Sequence, residues 1–472
     1  MENTKVEIKQ KIKKSINNFF NNDKNNKLLV AYLTVNLLYL LIGSYIYFTK
    51  HLVSNFHYKE FSIGLKYLFI ANCIVFLAIV IHKWRKKDLK YFKRPIYLGA
   101  LLCIIFAIIS TIFAFDTKIA LEGCWGRYEG LFSILYYLTL MILSTIVSKK
   151  YKKFLVKVIL ICGAIQALYA ICQVFSLFNV KQYFHIKSVY FDNVLHKDVY
   201  VKELWALGFT NNPNFLGTYM LLCLSYSIGL FINTKKKIGN IIYPLLSILF
   251  MFGILISNTL AVVIGLFFVV VYIFIYCLKN KYYEKFIVVL AILLSTTCLA
   301  VALGKTTLVK DIIKTVKETT EIVKGNLDDN YGSKRMYIWK ETLKIVPNHL
   351  LHGVGIDSFH KAFNGEALIL QQPTKRILYD KAHNEYLQLL VTQGIFALAS
   401  YLFIYSYVVY KGTKNAFKYK EIYLVLPIIG YLVQAFFNIS TIEVAPLFFI
   451  ALGLCCTIEK NEKTIANKER KT

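Results

Sequence analysis

Long apolar blocks alternate with short polar connections along most of this 472-residue chain. Each block has about 18–24 residues, enough for a helix to cross a hydrocarbon core where every backbone group must bond internally. About twelve such blocks occur, near residues 28–48, 63–82, 96–115, 131–148, 155–178, 214–232, 241–257, 260–277, 286–304, 387–410, 422–438 and 446–457. Buried helices of large soluble proteins are usually shorter and rarely repeat this way. The pattern therefore predicts an all-α, polytopic integral membrane protein with about twelve transmembrane helices. The two blocks that meet at Ser257-Asn258-Thr259 leave almost no connection and predict a tight helical hairpin.

Composition agrees, with 57% of residues hydrophobic and 18% charged. The net charge of +29 raises the question of nucleic acid, but its distribution answers otherwise. Lys and Arg concentrate in alternate connections, at 83–94, 149–153, 235–237, 279–285 and 411–420, and in both termini. All of these fall on one side if the N-terminus is cytoplasmic, as the positive-inside rule requires. Such loops set topology and meet anionic headgroups, so membrane lipids are expected partners and nucleic acid is not. The first apolar block is too long for a signal-peptide core and is read as a retained span. The expected layout has a cytoplasmic tail over 1–27, then helices one to nine within 28–304, with outer loops 116–130 and 179–213. A large helical extracytoplasmic loop follows over 305–386, then helices ten to twelve within 387–457 and a cytoplasmic tail over 458–472. The expected location is the inner, or plasma, membrane.

Long ordered loops in a compact protein usually carry function. In the last outer loop, Leu308, Ile312, Ile313, Val316, Ile322 and Val323 fall on one side of an amphipathic helix that ends near Gly325 and suits a membrane surface. A second helix is expected over 335–346, with Ser333 as N-cap and Pro347 ending it. HGVGIDSF, residues 352–359, reads as a tight turn into a short helix. GFTNNPNFLGTYM, residues 208–220, places Asn212 or Asn214 to cap the sixth span.

Cysteine adds little chemistry. Nine of the ten lie in predicted spans, leaving Cys124 outside and excluding an outer disulfide framework within one chain. His349 and His352 follow Pro347 without an obvious third ligand, so a turn is expected there rather than a metal site. Neither a Walker A sequence nor a dinucleotide fingerprint occurs, and no cofactor is expected.

The singular residues lie in the outer loops. His383, in KAHNEYLQLL, sits where the long loop re-enters the membrane; it is read either as a proton acceptor or as an interfacial residue capping a helix. Arg335, in YGSKRMYIWKETL, suits bidentate contact with a pyrophosphate, or pairs with Glu341 or a lipid headgroup. Arg127, in CWGRYEGLF, has the same readings, with Glu129 as its expected partner.

The stretch RMYIWKETLKIVPNHLLHGVGIDSFHKAF, followed by KAHNEYLQLLVTQGIFALASYLFIY, resembles the signature region of the O-antigen ligase and polymerase family. The shared features are an Arg, a downstream Trp (Trp339), a Gly-x-Gly-x-x-x-Phe turn, and His-Asn-x-x-Leu (His383, Asn384) leading into a Gly-containing span. GFTNNPNFLGTYM, with Asn214, resembles the family's earlier Asn-Pro-Asn element, and CWGRYEGL its first outer-loop Arg. The resemblance implies transfer of a glycan from a polyprenyl-pyrophosphate carrier to an acceptor hydroxyl on a glycan, lipid or protein, without a metal. By position it implies that His383 assists the acceptor and that Arg335 and Arg127 hold the pyrophosphate, with Glu129, Trp339, Asn384 and Asn214 in support. A repeat-unit polymerase or a protein O-oligosaccharyltransferase fits the same features. Asn258 departs from the pattern, since many relatives carry Arg there. A flippase for lipid-linked glycans is the alternative of another class, but transporters place ionisable groups at mid-membrane, and these span interiors are nearly uncharged.

Overall fold

The computed structural model describes residues 23–51, 59–85, 92–124, 126–180, 182–192, 197–210, 212–326, 328, 331–363 and 379–456. The C-terminal tail, most of the N-terminal tail and part of the basic stretch 83–94 lie outside them.

The first six helices are α1 (Asp23–His51), α2 (Lys59–Arg85), α3 (Pro95–Ile112), α4 (Thr117–Glu122), α5 (Leu131–Ser144) and α6 (Lys149–Phe175). A hairpin of β1 (Tyr183–Asp192) and β2 (Lys197–Trp205) then precedes α7 (Pro213–Asn233), α8 (Gly239–Ser257), α9 (Leu260–Asn280) and α10 (Tyr283–Ala302). The long connection after α10 contains α11 (Leu308–Val323), α12 (Arg335–Ile345) and the short α13 (Phe359–Ala362). The chain ends in α14 (Glu385–Gln393), α15 (Ile395–Tyr419), α16 (Ile422–Gln434) and α17 (Ala445–Cys455).

Among the described residues, nine helices are long and apolar enough to cross a membrane, and α5, α16 and α17 are shorter apolar helices. The protein is a multi-spanning α-helical membrane protein. The central element is α7, which is apolar all round and buried along nearly its whole length between α8 and α16. Its start is set by Pro213 at the first turn and by Asn212, whose side chain accepts from the Asn214 N–H at 2.9 Å. Asn212, not Asn214, is therefore the cap. Peripheral helices expose apolar side chains outward, such as Ile74 on α2 and Phe267 on α9, as lipid-facing surfaces do.

The basic turns gather at one end of the bundle. Arg94 donates to the Cys456 carbonyl (2.7 Å), Lys152 pairs with Glu421 (3.2 Å), Asn233 donates to the Lys420 carbonyl, and Lys420 donates to the Tyr282 hydroxyl. The Ser148 N–H reaches Asn26 there as well (3.3 Å), so the start of α1 lies at the same end. The clustering of basic connections expected from the positive-inside pattern is thus present in the fold.

Three expectations change. Within the α-helical membrane fold, part of the loop 179–213 is a local antiparallel β1–β2 hairpin, in register from Tyr183 opposite Trp205 to Asp192 opposite Lys197, with an irregularity at Ile186/Ser188. The tenth span begins at Ile395 rather than near residue 387, because Gly394 (φ +86°) breaks the helix and sets α14 apart from α15. Ser333 does not cap α12; Ser333 and Lys334 both adopt left-handed backbone, and neither makes a side-chain cap.

The end of the bundle away from the basic turns is closed by a seam of backbone bonds to the last turn of α14. Val354 N–H bonds to Val391 O and Gly355 N–H to Thr392 O (both 3.0 Å), while Phe115 N–H bonds to Val354 O. Ser110 on α3 also donates to Thr392 O at 2.7 Å, so α3, the glycine turn and α14 form one block. Gly353 has φ +73°, and a Cβ there would lie 2.2 Å from the Thr392 backbone. Gly353→Ala is expected to destabilise the protein by at least about 2 kcal/mol, since left-handed strain adds to a collision with backbone. Gly304→Ala is the comparison, because Gly304 has φ +63° but open space around it. Equal melting temperatures for the two variants would contradict the seam.

Candidate active site

Four segments distant in sequence meet at the end of the bundle away from the basic turns: the loop 124–129, Asp357 after the glycine turn, residues 380–385, and Ser440 beyond α16. Lys381 is only 3% exposed and lies 2.7 Å from Asp357 Oδ1 and 3.2 Å from Glu129 Oε2. Burial alone would lower its pKa, but the two carboxylates outweigh that and hold it well above the usual lysine range. Asp357 uses its other oxygen to accept from the Cys124 (2.7 Å) and Glu129 (3.2 Å) backbone N–H groups. Glu129 Oε1 accepts from Ser440 Oγ at 2.6 Å and from the Tyr137 hydroxyl at 3.4 Å. This buried cluster shapes the loop that carries Arg127.

Arg127 pairs with Asp380, not with Glu129 as expected, at 2.6 Å from Nε to Oδ2. Its guanidinium also lies over the Phe215 ring, 5.8 Å from the centroid. Asp380 is held below the usual carboxylate range; burial would raise it, and the Arg127 cation more than offsets that. Asn214 stands one residue before Phe215 on α7, and its carbonyl accepts from Thr218 (2.8 Å).

His383 is displayed between two pinned neighbours. Ala382 N–H bonds to Gln388 Oε1 (2.8 Å), and Ala382 O accepts from Trp339 Nε1 (3.0 Å). On the other side Asn384 caps α14, accepting from the N–H groups of Tyr386 (3.0 Å) and Leu387 (3.1 Å). Asn384 thus makes the helix cap that was one reading of His383. His383 itself has φ +51°, a backbone conformation that a non-glycine residue adopts at a cost and that these contacts maintain. Trp339 packs against Phe436 and Phe437 and sits one helical turn after Arg335 on α12, so a single helix fixes both the arginine and the backbone before the histidine.

Arg335 makes no ion pair with a carboxylate among the described residues. Glu341, its expected partner, pairs with Lys344 instead (2.7 Å). Arg335 Nη1 donates to Gly332 O at 3.1 Å, and its buried Nε has no partner. Burial lowers the Arg335 pKa from its ordinary value. The His383 imidazole is pushed down to about 4, first by burial and then by the Arg335 cation. Arg127 and Lys381 are balanced by carboxylates, so Arg335 is the cation of the site without one among the described residues, and the imidazole beside it is held neutral.

That shift has a consequence for stability. The unfolded histidine titrates near 6.5 and the folded one near 4, so the unfolded chain takes up the proton first as pH falls. The contribution, about 3 kcal/mol, is fully present above pH 6.5 and is lost as pH falls through the folded pKa. Melting curves of wild type and His383→Gln should diverge by this slope between pH 6.5 and 4, wild type being the steeper. Parallel curves would mean that the imidazole is not buried.

Below the site lies a cavity of about 50 Å³ lined by Glu129, Lys381, Glu385, Tyr137 and Ser440 among others. Glu385 has no ion pair among the described residues; it accepts from the Tyr431 hydroxyl (3.1 Å), and burial, reinforced by Glu129, raises its pKa to about 8. Asp357, Asp380, Lys381, Glu385 and Ser440 were not singled out from sequence. The available signal was Lys381, a charge two positions before His383 and only six before the next apolar run.

His349 and His352 pack against Phe115 and Phe113, with ring centroids 5.2 and 5.0 Å apart. Asn258 takes a structural role, in left-handed backbone at the end of α8, its Oδ1 accepting from Thr307 N–H (2.8 Å) and Thr306 Oγ1 (3.0 Å).

No curated protein matches the chain significantly. Residues 245–402, which carry Arg335, Trp339, Asp357, Lys381 and His383, match the family model described as O-antigen ligase, so this third of a multi-spanning membrane protein is similar to that family.

Proposed function

We propose that this protein transfers a glycan from a polyprenyl-pyrophosphate carrier to an acceptor hydroxyl, at the outer face of the plasma membrane, in the building of a cell-envelope polysaccharide. The observation that carries the reading is the meeting of Arg335, Arg127 and His383 around one site, with no carboxylate paired to the Arg335 guanidinium among the described residues and a neutral imidazole beside it. A pyrophosphate is the anion such a pair of guanidinium groups fits.

The reaction is an inverting displacement. The acceptor oxygen attacks the anomeric carbon, the bond from that carbon to the pyrophosphate oxygen breaks, and the hydroxyl proton passes to His383. The leaving polyprenyl pyrophosphate gains negative charge, which Arg335 and Arg127 stabilise. In this scheme Asp357, Lys381 and Glu129 position the Arg127 loop, Trp339 and Asn384 position His383, and Asn214 supports the Phe215 platform. The cations carry the charge stabilisation, so no metal is needed in the proposed step.

The test is release of polyprenyl pyrophosphate from a lipid-linked oligosaccharide of the source organism, by purified protein in nanodiscs with EDTA present. Wild type should release it, and Arg335→Ala should lose most of that activity while still inserting correctly. Movement of the glycan to a new glycan chain end would identify a polymerase; movement to a lipid or protein would identify a ligase or an oligosaccharyltransferase. Passage of the carrier across the bilayer with no pyrophosphate released would replace the transferase by a flippase.

A further inference from the structure

Helix α11 is built inside out for a helix in water. Its side toward the rest of the protein is anchored by buried Leu308 and otherwise carries Asp311, Thr315, Glu318 and Ile322, all partly covered, whereas its other side carries Val309, Ile313, Val316 and Val323, which are 45–82% exposed. A surface helix of a soluble protein turns its apolar stripe inward. The reversed arrangement means that the exposed stripe meets something other than water.

Two observations identify what it meets. The first is position. Span α10 ends at Ala302, only five residues before α11 begins, and Asn258, at the tip of the α8–α9 hairpin, holds Thr306 and Thr307 at the start of α11. The helix is thereby tied to the ends of three lipid-facing spans, at the level where hydrocarbon gives way to headgroups. The second is charge. Lys310, Lys314 and Lys317 lie on the flank of the stripe and are exposed, where they reach anionic headgroups when the stripe is submerged.

We propose that α11 lies on the bilayer leaflet at the site-bearing end of the spans, its Val309–Val316 stripe in the acyl–headgroup boundary and its lysines on lipid phosphates. This docking sets the height of the site over the membrane. Glu318, on the opposite side of α11, accepts from the Gly332 N–H at 3.1 Å, three residues before Arg335. A helix floating on the leaflet thus carries the segment that presents Arg335.

Full-length protein in nanodiscs tests this, with p-benzoylphenylalanine introduced separately in place of Val316, of Thr315 on the inward side, and of Phe267 on the lipid face of α9. Irradiation should give phospholipid adducts by mass spectrometry at positions 316 and 267, and adducts within the chain at 315. The adduct yield at 316, but not at 267, should rise severalfold when phosphatidylglycerol replaces phosphatidylcholine. Lipid adducts at 267 without any at 316, or adducts at 316 to a second copy of the chain, would overturn the proposal. An equal yield at 316 in both lipids would overturn its electrostatic part.

Discussion

Replacing Lys381 by methionine is expected to destabilise the protein by about 3–5 kcal/mol, because it leaves buried carboxylates without their cation. Asp357 and Glu129 approach the ammonium from two sides, at 2.7 and 3.2 Å, and both are buried. Burial leaves little solvent to compensate, so the stranded charge costs far more than it would at the surface. The loss should therefore be smaller at acidic pH, where protonation of a carboxyl removes that charge. A second variant separates this account from a simple packing defect. Lys381→Met combined with Glu129→Gln removes one of the two stranded charges and should recover part of the lost stability. In a double-mutant cycle the two changes should couple by more than about 1 kcal/mol, as contacting residues of one network do. Additive losses, or a Lys381→Met protein that melts with wild type, would mean that the three groups do not form the buried cluster. In the proposed transferase the same variant should lose pyrophosphate release even in its folded fraction, because Asp357 also holds the backbone of residues 124 and 129 on either side of Arg127.

The spans were legible because length and apolarity suffice to place a helix in a bilayer, and that argument needs no tertiary information. The amphipathic α11 was legible for a similar reason, since a period of 3.6 residues is a local property. Three features were not readable in this way. The stretch 387–393 is apolar enough to join the following span, and only Gly394 in left-handed backbone shows that α14 is a separate element. The β1–β2 hairpin lies in the connection 179–213, where no long apolar block marks an element. Charge partners were the hardest, because they depend on where distant segments meet. Arg127 looked toward Glu129, two residues away, yet its partner Asp380 is 253 positions along the chain, and Glu129 belongs to Lys381, 252 positions along. Charges at the edge of a long loop read as solvated until the fold buries them. The residues singled out from sequence, His383, Arg335 and Arg127, do come together, but the cluster that orders them was invisible.

Changing His383 to glutamine should lower turnover by about 10²–10⁴-fold in the proposed transferase, the range for loss of a general base. Glutamine keeps the approximate size and polarity of imidazole, and Trp339 and Asn384 hold the flanking residues through contacts that do not involve the His383 ring. Donor binding should accordingly change little, so the effect falls on kcat rather than KM. With the site empty, the imidazole titrates near 4, too low for an effective base at neutral pH. Part of that depression comes from Arg335, with smaller contributions from Arg127 and Lys381. A bound pyrophosphate brings negative charge to these cations and cancels much of their field, so the donor itself should raise the basicity of the histidine. The pH profile reads this out. For wild type, kcat should fall on the acid side through a pKa above 4, and kcat/KM through a lower one, since the first reports the donor complex and the second the free protein. Arg335→Gln should bring the two limbs together by removing the strongest cation acting on His383, and should weaken donor binding at the same time. Turnover by His383→Gln close to wild type would remove the histidine from the chemistry and leave the arginines as the only catalytic groups of the site.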